Sequence, residues 1–180
     1  SWDFFRVSRT SEFSVKFYGC RGSIPATGPD HAESGGATSC LRVRAGGREI
    51  IFDGGSGMVQ LSEDMVERYG DNGDPIEACV IFSHAHLDHL MGLPYFAPLY
   101  MPDATVRMYG PRNMRFDSFE ETIDAFVSPP YFPVPRYEMQ ARIEINDIAE
   151  QETLFFVDGE SAPRCLAAEH PSSIDEVPTP

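Results

Sequence analysis

Basic residues are scarce in this chain of 180 residues: 14 Lys and Arg stand against 28 Asp and Glu, giving a formal net charge of −14. So acidic a surface repels a polyanion, so no extended nucleic-acid-binding surface is expected. A small phosphate-bearing substrate remains open, because a bound divalent cation can be the largest local charge in a site and reverse its sign. Long apolar runs are lacking too. No window approaches the roughly 18 uninterrupted apolar residues of a membrane span, and the opening SWDFFRVSRTSEF lacks the basic-then-apolar order of a signal peptide. No membrane partner is expected, and the location implied is cytoplasmic. Cysteine is sparse: Cys20, Cys40, Cys79 and Cys165 lie far apart with no Cys-x-x-Cys pair. A chain of this length folds without disulfide staples, so the four read as reduced thiols. The chain starts on Ser, which suggests a trimmed end. Residues 1–12 are expected to be disordered or foreign to the fold, and 13–180 to form one domain.

What is present is a regular alternation of strand and helix signals. FSVKFYG (13–19) alternates and is rich in aromatic and β-branched residues, as strands are. The twenty residues after it are dense in Gly and Pro and predict a long loop. CLRVRA and REIIFD flank Gly46-Gly47, a hairpin signal. SGMVQLSEDMVERYG places Met58, Leu61, Met65 and Val66 at helical spacing, with Ser56 as the expected cap and Gly70 as the stop. EACVIFS (77–83) reads as a buried strand. A short helix is expected through LMGLPYFAPLY, a strand at 105–110, a helix near 115–127 and an extended loop at SPPYFPVP (128–135). Two or three further strands follow in ARIEIN, TLFFVD and PRCLAAEH. Together these predict an α/β protein.

The chain has only five histidines, and three of them fall within HAHLDH (84–89), directly after the apolar run of 77–83. Histidines at i and i+2 in extended or loop backbone face the same side, so His84 and His86 can share one metal ion. Asp88 and His89 follow at once and could serve a second, the mixed oxygen and imidazole donors suiting zinc, manganese or iron. Ligand groups in α/β folds gather at the carboxyl ends of strands, where this cluster falls.

HAHLDH, reached from VIFS and preceded by IIFDGGSG, resembles the metal motif of the metallo-β-lactamase-fold hydrolases. YGCRGSIPATGP, GGATSC, FDGGSGM, HAHLDHLMGLPYFAPLY, VRMYGP, SPPYFPV and EHP occur in the order of a phosphodiesterase-like branch of that superfamily, related to ribonuclease Z and to enzymes cleaving cyclic phosphodiesters. The resemblance runs over residues 13–171 and implies an αββα sandwich. It assigns His84, His86 and His170 to a first metal and Asp88 and His89 to a second, zinc being the expected ion. It places Asp53 behind the ligands, where it would order the metal loop; an aspartate before Gly-Gly is equally a turn former. Three histidines and an open position describe a catalytic zinc site, at which water has a pKa near about 7. The resemblance thus implies phosphodiester hydrolysis by metal-bound hydroxide, with Asp88 the catalytic residue that orients or deprotonates the water. Lactamase activity is not implied. Tyr95, Phe96, Tyr131 and Phe132 could wall a base or pack a core, and the glycine-rich loop could approach a phosphate or simply turn.

The pattern departs from the family in several places. Leu87 stands where an aromatic is expected and Ala37 where Asn is. The second half of the sandwich would start near residue 140, and the sequence ends ten residues after His170. The resemblance matches no residue to the aspartate that bridges two metals in the family, nor to the last histidine of the second. The expectation is therefore a sandwich with an incomplete second half and one tight metal site where the family has two. A truncated hydrolase, pairing with a second copy that covers the exposed sheet as a homodimer, and a non-catalytic metal-binding or interaction module all fit the residues.

Overall fold

The computed structural model describes residues 13–31, 33–70, 73, 75–157 and 160–167. Six strands form one mixed sheet in the order β1 (Ser14–Gly19), β2 (Cys40–Ala45), β3 (Arg48–Phe52), β4 (Glu77–Ile81), β5 (Thr105–Gly110) and β6 (Arg142–Asp147). The β1–β2 and β2–β3 pairs are antiparallel, and β3 through β6 run parallel. The β2–β3 turn is tight because Gly46 and Gly47 both take positive φ, at 58° and 78°, as a two-residue hairpin with the sheet's twist requires. A separate antiparallel pair, β7 (Glu152–Phe155) and β8 (Arg164–Ala167), ends the described chain.

Parallel neighbours need crossovers, and α1 (Met58–Gly70) and α3 (Phe119–Phe126) supply two of them. Both pack on one face of the sheet. Met58, Leu61 and Met65 of α1 are fully buried with Ile51, Val80, Val106 and Met108, and the Phe119 ring of α3 lies 5.2 Å from that of Phe82. The β4–β5 connection is made by a single turn, α2 (Leu87–Leu90), and two 3-10 turns at Leu93–Tyr95 and Ala97–Tyr100.

The strand and hairpin expectations hold as far as the described residues reach, PRCLAAEH being described only to Ala167, and three local ones are corrected. The helix expected near 115–127 is shorter and begins only after Ser118, whose hydroxyl accepts from Glu121 N at 3.1 Å and caps it. Ser56 does not spend its hydroxyl on α1: it accepts from Thr38 N at 2.8 Å and ties the helix start to the long loop. LMGLPYFAPLY forms 3-10 turns, because Pro94 and Pro98 each enter the first positions of a turn and lack the N–H that would extend it. Of the two readings left open for Phe96, the structure shows core packing: its side chain is fully buried.

On its other face the sheet is covered unevenly. Toward β5, Arg107 donates to Ser161 O at 2.9 Å, so the segment between β7 and β8 lies against this side. Toward β1, the register Phe17–Leu41–Phe52 and its neighbour Val15–Val43–Ile50 form an apolar surface. Here Phe17 is 69% exposed, Val15 45% and Phe52 38%. Helices on one face of a mixed sheet and half a covering on the other make an α/β layer whose second side is incomplete among the described residues. Among the described residues no helix is long and apolar enough to cross a membrane.

The two faces should respond differently to truncation. Met65→Ala is expected to cost about 2–5 kcal/mol in urea denaturation, whereas Phe17→Ser should cost under about 0.5 kcal/mol. A large loss from Phe17→Ser would show that another layer, such as a second copy, covers that face in solution.

Candidate metal centre

Because β3 and β4 are parallel neighbours, the segments leaving their carboxyl ends lie side by side, and these are Asp53–Gly57 and Phe82–His86. They are laced together through backbone. Gly54 N donates to His89 O at 2.7 Å and Gly92 N to Gly54 O at 2.8 Å. The approach is close enough to require glycine: a Cβ on Gly55 would sit 2.3 Å from Asp88 O, and one on Gly92 2.1 Å from Gly55 O. The Gly-Gly after Asp53 therefore brings two chain segments into contact.

Asp53 is 7% exposed and takes φ +60°, a conformation uncommon for any residue with a Cβ. Its Oδ1 accepts from Ser83 N and Ser83 Oγ, both at 2.8 Å. Its Oδ2 accepts from Ser39 Oγ at 3.0 Å and lies 2.8 Å from His89 Nδ1. An ionised carboxylate only accepts, so His89 carries a proton on Nδ1; its Nε2 lies 3.5 Å from Asp88 Oδ2. Ser83 spends its single proton on Asp53, so its Oγ, 3.0 Å from His84 Nδ1, accepts from that nitrogen. This fixes His84 with a lone pair on Nε2. One buried carboxylate thereby sets the tautomers of two imidazoles.

His84 Nε2 lies 3.0 Å from His86 Nδ1. This is hydrogen-bond distance, and two ligands on one tetrahedral zinc at the usual bond length of about 2.0–2.1 Å are about 3.3 Å apart, so a small separation of the rings would let both nitrogens face one cation. The His84 and His89 rings stand 4.0 Å apart between centroids. Burial, then the neighbouring imidazoles of His89 and His86, hold His84 below the usual histidine range, which keeps its lone pair free near neutral pH. The backbone N–H of Ser23 holds the Asp88 carboxyl below its usual range from 2.8 Å away.

The structure thus brings His84, His86, Asp88 and His89 to one end of the parallel strands, with Asp53 behind them. Among the described residues no three His, Cys, Asp or Glu side chains converge as a complete metal cage. His170 lies outside the described residues. The donor set fits a borderline divalent cation in kind and, for His84 and His86 after a small separation of the rings, in spacing. Tyr95 and Tyr131 are 61% and 82% exposed, and Phe132 packs edge-on against Tyr95 at 5.8 Å between centroids.

Three residues here went unassigned in the sequence. Ser39 and Ser83 carried a usable signal, a hydroxyl residue at a strand boundary beside an expected ligand or carboxylate. Ser23 carried none, because it acts through its backbone N–H and any residue other than proline supplies one.

Parallel strands here deliver imidazoles and a carboxylate, side chains of metal-ligand type, to one edge of the sheet. The family model of the metallo-beta-lactamase superfamily matches residues 34–160, and the chain belongs to that superfamily. Its members are generally hydrolases that bind divalent metals, typically zinc. Among curated proteins no sequence matches. Solved structures similar to it include the following three. A diphosphatase of the PhnP family is 16% identical with a TM-score of 0.46, covering 79% of this chain and 53% of that one. The metallo-beta-lactamase fold protein YhfI from Bacillus subtilis is 16% identical with a TM-score of 0.47, over 86% and 56% of the two chains. A putative metallo-beta-lactamase from Thermotoga maritima is 13% identical with a TM-score of 0.37, over 85% and 70%. The chain spans little more than half the length of the first two.

Removing the Asp53 carboxylate should release both tautomers at once. Asp53→Ala is expected to lower zinc affinity about 10–100-fold, and Ser83→Ala, which interrupts only the His84 limb, by less. Competition with a chromogenic chelator checks both; equal affinities in all three proteins would show that Asp53 only forms a turn.

Proposed function

We propose that this chain carries the metal-binding half of a phosphodiester hydrolase site, acting on a small substrate such as a cyclic nucleotide or an RNA-derived product. The observation that carries the reading is the pair His84 Nε2 and His86 Nδ1, 3.0 Å apart at the end of β4 and backed by buried Asp53. His84 and His86, with His170, would hold a first divalent cation, zinc before manganese or iron; Asp88 and His89 would contribute to a second position. A cation there supplies Lewis-acid activation of water and offsets phosphate charge.

The protein's own groups do the rest. Asp53 and Ser83 hold the imidazole protons away from the ligand nitrogens. Asp88, with one carboxylate oxygen fixed by Ser23 N–H, presents a group able to orient a water or take its proton. The choice of a phosphodiester over a lactam or thioester is supported by the ordered motifs from YGCRGSIPATGP to EHP. The exposed Phe17 and Phe52 favour pairing of this half-sandwich with further β structure, a second copy being the simplest source.

Turnover of bis-p-nitrophenyl phosphate by the zinc- or manganese-loaded protein tests the reading. Activity should vanish with chelator, return with metal, and fall at least about 100-fold in Asp88→Ala. Cleavage of a thioester or lactam without any phosphodiester would overturn the substrate assignment. In metal analysis of the isolated monomer, one tight ion is expected. His170→Ala should weaken it and His89→Ala should hardly change it; two tight ions, or equal losses, would reverse this ligand assignment.

A further inference from the structure

Only two described residues other than glycine take positive φ, Asp53 at 60° and Ser23 at 71°, and both touch the His motif. Asp53 is accounted for by the hydrogen bonds it collects. Ser23 lies far from it in sequence, on the long loop between β1 and β2. Ile24 N donates to Gly22 O at 3.0 Å, so Ser23 is the central residue of a three-residue turn with the uncommon, strained sign of φ. That sign costs any residue with a Cβ and persists only where the surroundings impose it.

The surroundings do so on both sides. Arg21 Nε donates to Ile24 O at 2.8 Å, bracing the turn from within. Arg21 N donates to Ala37 O at 3.0 Å, and Arg21 pairs with Thr38 as an isolated bridge. Thr38 is in turn bonded to Ser56 at the start of α1. Beyond the turn, Ala26 N donates to Gly36 O at 2.9 Å. The loop is thus anchored to the rigid sheet, and at its braced bend the Ser23 N–H meets Asp88 Oδ2 at 2.8 Å.

We propose that Ser23 is a positioning residue for Asp88: the strained Gly22–Ser23–Ile24 turn holds a backbone N–H that fixes one oxygen of the Asp88 carboxylate and so sets the direction of the other. Asp88 sits in a helix of only four residues, which gives little orientation of its own. A carboxylate that must address a water or a cation gains from being held before either arrives. The kinetic consequence rests on the hydrolase reading above; the contact itself does not.

Hydrogen exchange and 1H–15N spectra of the full 180-residue chain test the contact first. The Ser23 amide is expected downfield and protected, losing about tenfold in protection in Asp88→Ala, which removes the acceptor, and again in Arg21→Ala, which removes the brace. Ser23→Gly, which keeps both the N–H and the positive φ, should retain the signature at residue 23. Turnover of bis-p-nitrophenyl phosphate then tests the consequence. Ser23→Pro, which removes the N–H and, with φ fixed near about −65°, also the turn that carries it, should lower kcat about tenfold with KM within about twofold, and should add no further loss on top of Asp88→Ala. A Ser23 amide whose exchange is indifferent to Asp88→Ala overturns the proposal, as does an additive loss in the double variant. If the protein hydrolyses no phosphodiester, the functional reading falls alone, and the exchange result decides the positioning.

Discussion

The Asp53 carboxylate is the constraint on which the rest of the centre depends. It accepts from Ser39 Oγ, Ser83 N, Ser83 Oγ and His89 Nδ1 while almost wholly buried. Burying an ionised carboxylate is expensive unless its oxygens are filled, and here the four donors fill them. Those donors come from the start of β2, the end of β4 and α2, so the charge can be satisfied only if the three segments take one mutual arrangement. The positive φ at Asp53 aims its side chain back into that gap. Ladder, turn and imidazole orientation are therefore consequences of one desolvated group, and the parallel β3–β4 register makes them meet at a strand end.

The same sheet shows what the described residues leave incomplete. Its helix face is closed by Met58, Leu61, Met65, Phe82 and Phe119, all fully buried. The opposite face carries Val15, Phe17 and Phe52 in contact with water near β1, while Arg107 is enclosed near β5. An uncharged, partly aromatic surface on a chain with net charge −14 is a local exception to its composition. Such a surface is the ordinary inner face of a sandwich seen without its second sheet.

Strands and hairpin were legible because their signals are local: alternation at 13–19, Gly-Gly at 46–47 and the apolar run at 77–83 each specify structure without distant partners. The His cluster was legible because its members are adjacent in sequence and its position follows from the strand before it. The misjudged elements involve competition between local options. Ser56 could cap a helix or tie a loop, and the tie wins because Thr38 N has no ladder partner there. Pro94 and Pro98 permit a turn but not a helix through 90–100. Phe96 could not be told from Tyr95 by type, since burial is decided by where α1 and the 3-10 turns meet. Ser39 and Ser83 were visible as residues but not as partners of Asp53, because the contact depends on strand order. The contribution of Ser23 is a backbone atom and leaves no trace in residue identity.

Charge balance links the centre to the surface around it. Asp53 and Asp88 bring two negative charges beside imidazoles of which His84 is held neutral, inside a chain that is acidic throughout. Unaided, that edge repels a phosphate, and the helix dipole of a four-residue α2 is too short to reverse the field. On the proposed reading, a dication held there would change the local sign while leaving the surface acidic. The arrangement would then discriminate twice: the acidic surface, whose field extends about 10 Å at moderate salt, would keep a polyanion off, and a small anion would be admitted only beside a bound cation.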